Sequence, residues 1–135
     1  MKKLLLLSAV LEIVTGLAML AVPVTLSSVL FGALPEAPLG VGLARMMGSA
    51  LLALGVACAF ASRDTRSSGS LGVVAAMLVY NLAAAAVLLS LRFGSGLTGI
   101  GLLPAGAAHV ALALWCALCI STVDRISPGV VYRVR

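Results

Sequence analysis

Four stretches of almost uninterrupted apolar residues, at about 4–30, 41–62, 71–92 and 102–123, constrain this chain more than any other feature. Each reaches the roughly 20 residues that a helix rising about 1.5 Å per residue needs to cross about 30 Å of hydrocarbon. Nearly every one of the 135 residues falls in such a stretch or in a short connection, so no separate soluble domain fits. A hydrophobic content of 62% beside 10% charged residues lies far from the balance of a soluble protein. The expected fold class is an all-α integral membrane protein, an antiparallel four-transmembrane-helix bundle in a single membrane domain over 1–135.

The opening Met1-Lys2-Lys3 followed by leucines has the form of a secretory signal, but Glu12 inside the apolar run argues for an uncleaved first span. The net charge of +5 does not point to nucleic acid, because the basic residues are dispersed and no basic, aromatic-interleaved face exists. Their distribution reads as topology. Lys2 and Lys3 precede span 1, Arg63 and Arg66 follow span 2, and Arg125, Arg133 and Arg135 follow span 4. The loop after span 1 carries Glu36 without Lys or Arg, and the loop after span 3 has only Arg92 at its edge. The positive-inside rule then sets both termini in the cytoplasm of a cell with this protein in its inner membrane.

Along span 1, Thr15, Gly16 and Met19 lie on or near the Glu12 face, and Pro23 is expected to bend or loosen the helix near its outer end. Phe31-Gly32 and Pro35-Glu36-Ala37-Pro38 mark an external loop. In span 2, Gly48, Ser49, Leu52 and Gly55 are assigned to the side of Arg45, a small-residue groove that lets helices approach closely. Span 3 sets Asn81 near mid-membrane with Tyr80 beside it, and its face includes Met77, Ala84, Ala85 and Leu88. Gly94, Gly96, Gly99 and Gly101 make a flexible connection or simple filler, and Pro104 suits the first turn of span 4. There His109 shares a face with Ala113 and Cys116, while Trp115 points elsewhere as a lipid-facing or interfacial anchor.

Each span thus contributes one strongly polar side chain: Glu12, Arg45, Asn81 and His109. Helical rise sets Glu12 and Asn81 roughly 12–16 Å above the cytoplasmic ends, His109 at about 18–20 Å and Arg45 at about 24–26 Å. Charged and polar groups at such depths are costly and mark functional sites. The functional reading is a polar pocket. Glu12 and His109 serve as its catalytic acid and base, Arg45 and Asn81 as substrate-binding groups, with Tyr80 and Thr15 beside them. The plainer reading is a buried network that fixes helix register, with Arg45 snorkelling outward, Asn81 acting as interhelical glue and Tyr80 as packing.

Two further patterns bear on function. Cys116-Ala117-Leu118-Cys119 is a C-x-x-C, which invites comparison with four-helix membrane thiol oxidoreductases that pass electrons to quinones. Its place near the cytoplasmic end of span 4, with no partner pair in a loop, favours small packing residues over a redox or soft-metal role. Leu11-Glu12-Ile13-Val14-Thr15-Gly16 is similar to the first span of the small multidrug transporters, although no tryptophan and glycine pair follows Tyr80-Asn81-Leu82-Ala83. A broader set resembles small bacterial four-span proteins that are loosely DoxX-like. It comprises Glu12 with Thr15-Gly16-Leu17, Pro23, Leu30-Phe31-Gly32, Ala44-Arg45, Gly48, Gly55, Tyr80-Asn81, Pro104 and His109 through Trp115-Cys116. That resemblance implies a four-helix bundle and no particular activity.

The leading expectation is binding, with acid–base isomerisation or cyclisation, of a lipid-like or isoprenoid-like small molecule. The competitors are proton-coupled transport of a small solute through Glu12 and a non-catalytic membrane subunit or scaffold. No cofactor and no metal are expected. The partners expected are a membrane lipid or other hydrophobic small molecule, no nucleic acid, and a second copy through the Gly and Ala faces.

Overall fold

A computed structural model of the chain describes residues 1–126, and these are helical almost throughout. The order is α1 (Lys2–Ala21), α2 (Pro23–Phe31), α3 (Leu39–Ala61), α4 (Ser68–Phe93) and α5 (Leu102–Ile126). Four of them, α1, α3, α4 and the Leu102–Thr122 part of α5, are long and apolar enough to cross a membrane. Arg133 and Arg135, counted above toward the cytoplasmic end, lie outside the described residues.

The first apolar run is not one helix. Its hydrogen-bond ladder stops at Val22, which has φ −132° and ψ 55°, and Pro23 begins α2. Proline lacks an N–H to continue the ladder of α1, yet its fixed φ suits a first helical turn. The expected bend is therefore a break, and α2 turns away until Gly32, at φ +72°, closes it in the left-handed region that favours glycine.

Each long helix buries a narrow stripe. In α1 it is Leu4, Leu5, Ser8, Ala9, Glu12, Gly16 and Met19, and in α3 it is Ala44, Gly48, Leu51, Gly55 and Cys58. In α4 the stripe runs Ser70, Val74, Met77, Asn81, Ala85 and Leu88. These steps of three and four residues are one face of a helix. The remaining faces are also apolar and lie open, as at Val14, Val79 and Leu118, which are 61%, 67% and 65% exposed. Such a surface suits lipid rather than water.

The closest helix pairings are α1 with α3 and α4 with α5. Glycines set the first. A methyl group on Gly16 would stand 2.7 Å from the Gly48 carbonyl oxygen and the Leu52 nitrogen. One on Gly55 would stand 2.7 Å from Ile13 Cγ1. With no side chain between them, the two backbones approach closely and gain dispersion contacts that larger residues would forbid.

The connections are more ordered than their composition indicates. The glycine-rich loop is laid against α2 by Gly99 N–H to the Phe31 carbonyl (3.2 Å) and Gly101 N–H to the Val29 carbonyl (3.1 Å). A Cβ on Gly99 would overlap the Leu30 carbonyl oxygen, so this position requires glycine for the approach itself. At the opposite end, Ser67 caps α4 by accepting from the Ser70 N–H (3.2 Å), and the Ser70 hydroxyl reaches back to the Ala61 carbonyl (2.8 Å). Arg63 stacks on Phe60 with 4.7 Å between its guanidinium carbon and the ring centroid.

Candidate functional site

Glu12, Tyr80, Asn81 and His109 come from α1, α4 and α5 and form one polar set. Glu12 is 4% exposed and Asn81 fully buried, while Tyr80 and His109 are half-buried. The Tyr80 hydroxyl donates to Glu12 Oε2 at 3.3 Å, which ties α4 to α1. Across α4, Asn81 Oδ1 and His109 Nδ1 are 2.7 Å apart, which ties α4 to α5. The two links meet where the Tyr80 and His109 rings pack edge to face, centroids 5.5 Å apart at 84°.

This arrangement specifies the histidine tautomer. Asn81 Nδ2 donates to the Met77 carbonyl one turn earlier at 2.7 Å, which turns its amide oxygen toward His109. A carbonyl oxygen can only accept, so His109 Nδ1 carries the hydrogen. When the ring is neutral, Nε2 holds the lone pair that a general base uses, and among the described residues no hydrogen bond engages it. Both ends of the Asn81 amide are thus engaged.

Two expected members are not brought to this set. Arg45 and Thr15 are exposed, each one residue away from a buried neighbour, Ala44 and Gly16 respectively. One residue is a rotation of about 100° on a helix, enough to turn a side chain from the core to the outer face. The α3 stripe that packs runs through Ala44, Gly48, Leu51 and Gly55, so the groove assigned to Arg45's side belongs to the next face round. Ser49, also assigned to that groove, is exposed and donates to the Arg45 carbonyl at 3.1 Å.

Ser8 was passed over in the sequence and lies in the same interior. It is 1% exposed, one turn before Glu12 on the buried α1 stripe, and its hydroxyl has no hydrogen-bond partner among the described residues. Its spacing of four from Glu12 was the available signal. Cys58 and Cys116 are buried free thiols in the apolar cluster with Leu5, Val74 and Met77, and Cys119 is a half-buried free thiol. Among the described residues no cluster of His, Cys, Asp and Glu could hold a metal ion.

An open groove of about 370 Å³ lies away from this polar set, between α2, the 33–35 loop, α3 and the last turn of α4. Its lining is apolar and includes Phe31, Leu34, Leu43, Met47, Leu91 and Leu97. No protein-family model matches the chain, and no curated protein or solved structure is significantly similar to it.

Proposed function

We propose that the protein is a multi-pass inner-membrane protein whose Glu12–Tyr80–Asn81–His109 set binds a lipid-like or isoprenoid-like small molecule and isomerises it by acid–base chemistry. In this reading the four long helices form an antiparallel bundle with both termini cytoplasmic. The contacts of Gly16 with Gly48 and of Gly55 with Ile13 support opposite directions for α1 and α3. The DoxX-like resemblance agrees with a bundle of this kind and is silent on the reaction.

The observation that carries the reading is that Tyr80 touches both a carboxyl, Glu12, and an imidazole, His109, whose Nδ1–H is held by Asn81. Glu12 in its acid form gives a proton to one end of a double-bond system, and His109 Nε2 removes one from the other end. One proton enters and one leaves, so the product is an isomer, and the proton gained by His109 returns to the Glu12 carboxylate before the next turnover. Tyr80, bonded to Glu12 and packed on His109, fixes the two groups relative to each other. Arg45 and Thr15 take no part in the chemistry so drawn.

Mass spectrometry of the small molecules that co-purify with the full chain tests this. The wild type is expected to retain a hydrophobic species that Glu12→Gln converts poorly and His109→Ala loses or leaves unconverted. Unchanged retention and conversion in both variants would sink the assigned roles. Proton flux in proteoliposomes that disappears in Glu12→Gln, without any retained species, would favour the transport reading instead.

A further inference from the structure

The apolar groove at the α2 end is separate from the polar set, and a cation sits on its rim. Arg92, in the last turn of α4, is half-buried and directs Nη1 to the Leu97 carbonyl at 3.4 Å. Leu97 lines the groove, so the guanidinium stands beside a groove-lining residue. A guanidinium has five N–H donors. Among the described residues the Leu97 carbonyl alone accepts from it, through a long bond, and no carboxylate pairs with it. A second cation, the exposed Arg45, lies on α3 between groove-lining Ala44 and Met47. The nearest acid in sequence is Glu36, beside groove-lining Pro35, so the mouth keeps a net positive charge.

We propose that this groove seats one acyl chain of an anionic phospholipid, with the lipid phosphate held by Arg92. The match is one of charge and depth. An arginine at the end of a span reaches the level of the headgroups, its planar fork fits phosphate oxygens, and an apolar groove of about 370 Å³ is lined by Leu97, the residue it bonds. The donors left free on Arg92 then find acceptors, and the apolar lining is covered by hydrocarbon. Arg45 adds long-range attraction for the same headgroup and does not need to touch it.

The test uses the full-length protein, stripped of lipid in detergent and given phosphatidylglycerol, phosphatidylcholine of the same acyl chains, or oleate, with bound species counted by native mass spectrometry. Phosphatidylglycerol is expected to be retained at least fivefold more than phosphatidylcholine. Arg92→Gln should lower its retention to the phosphatidylcholine level. Leu34→Glu, which sets a carboxylate at an exposed position of the mouth, should do the same. Arg63→Gln at the opposite end and Glu12→Gln in the polar set should leave retention unchanged, which separates this site from the acid–base one. Equal retention of the two phospholipids, or an unaffected Arg92→Gln, overturns the proposal. Oleate held as well as phosphatidylglycerol overturns it too, because the site would then be one for free fatty acid.

Discussion

Adding one methyl group at Gly16 tests whether the α1–α3 crossing organises the bundle. In Gly16→Ala the new Cβ would lie 2.7 Å from the Gly48 carbonyl oxygen and from the Leu52 nitrogen, against 3.4 Å or more for an ordinary contact. Both obstacles are backbone atoms on a facing helix, so no side-chain rotation relieves them, and the helices must part by about 0.7 Å. Overpacking of this kind costs about 1–3 kcal/mol. Against this, replacing glycine in a helix interior gains about 0.5–1 kcal/mol in backbone entropy. The net expectation is a loss of up to about 2.5 kcal/mol, and no gain. Gly42 and Gly72 supply the control, since a Cβ at either meets nothing within 4 Å. Gly42→Ala and Gly72→Ala should therefore stabilise by about 0.5–1 kcal/mol, opposite in sign to Gly16→Ala. Gly48→Ala crowds the same crossing, with a new Cβ 2.8 Å from the Gly16 oxygen, so the double variant should cost less than the two singles added together. Denaturation in mixed micelles, followed by helical circular dichroism, reads all five variants on one scale. If Gly16→Ala stabilises as Gly42→Ala does, the close crossing is wrong.

Other substitutions bear on the polar set. Tyr80→Phe leaves Glu12 Oε2 without its donor in a buried setting, and should lower stability by about 1–3 kcal/mol in the same assay. Ser8→Ala removes a buried hydroxyl that has no partner among the described residues, and should be neutral or stabilising by about 1 kcal/mol; a clear loss would mean that the hydroxyl is engaged. Arg45→Gln and Thr15→Val, both at exposed positions, should leave the co-purified small molecule of the polar set unchanged by mass spectrometry.

Chain composition was sufficient to indicate four long apolar helices, because the length and continuity of an apolar run decide whether it can span hydrocarbon. The direction in which each helix faces was harder to read. In a soluble protein the core face is apolar and the outer face polar, so periodicity reveals rotation. Here both faces are apolar, and only polar or small residues carry rotational information. Asn81, His109, Ala113 and Cys116 formed consistent patterns, as did Glu12 with Gly16 and Met19. Arg45 misled, since a large cation drew the assignment of its face one residue away from the Ala44–Gly48–Leu51–Gly55 stripe. Small residues mark helix contacts better than charge does.

The connections were less legible for a different reason. Pro23 signalled a perturbation, but whether a proline bends a helix or ends it depends on what the following segment can pack against. Here α2 packs against the glycine-rich loop, which a reading of local composition treats as flexible. Gly99 requires its small size because of the α2 backbone, some 68 positions earlier in the chain. Such long-range causes leave no local trace. Ser8 illustrates the same limit, because a serine in an apolar run carries no mark of whether its hydroxyl will find a partner.

The chain has a single histidine, so nitrogen-15 labelling of histidine reports His109 alone. NMR of the labelled protein in lipid bilayers, with and without the hydrophobic molecules extracted from the wild type, tests the acid–base site most directly. An acid–base role for His109 predicts a neutral ring protonated at Nδ1, with the Nε2 signal moving when the extract is added. A ring protonated at Nε2, or nitrogen signals indifferent to the extract, would contradict it.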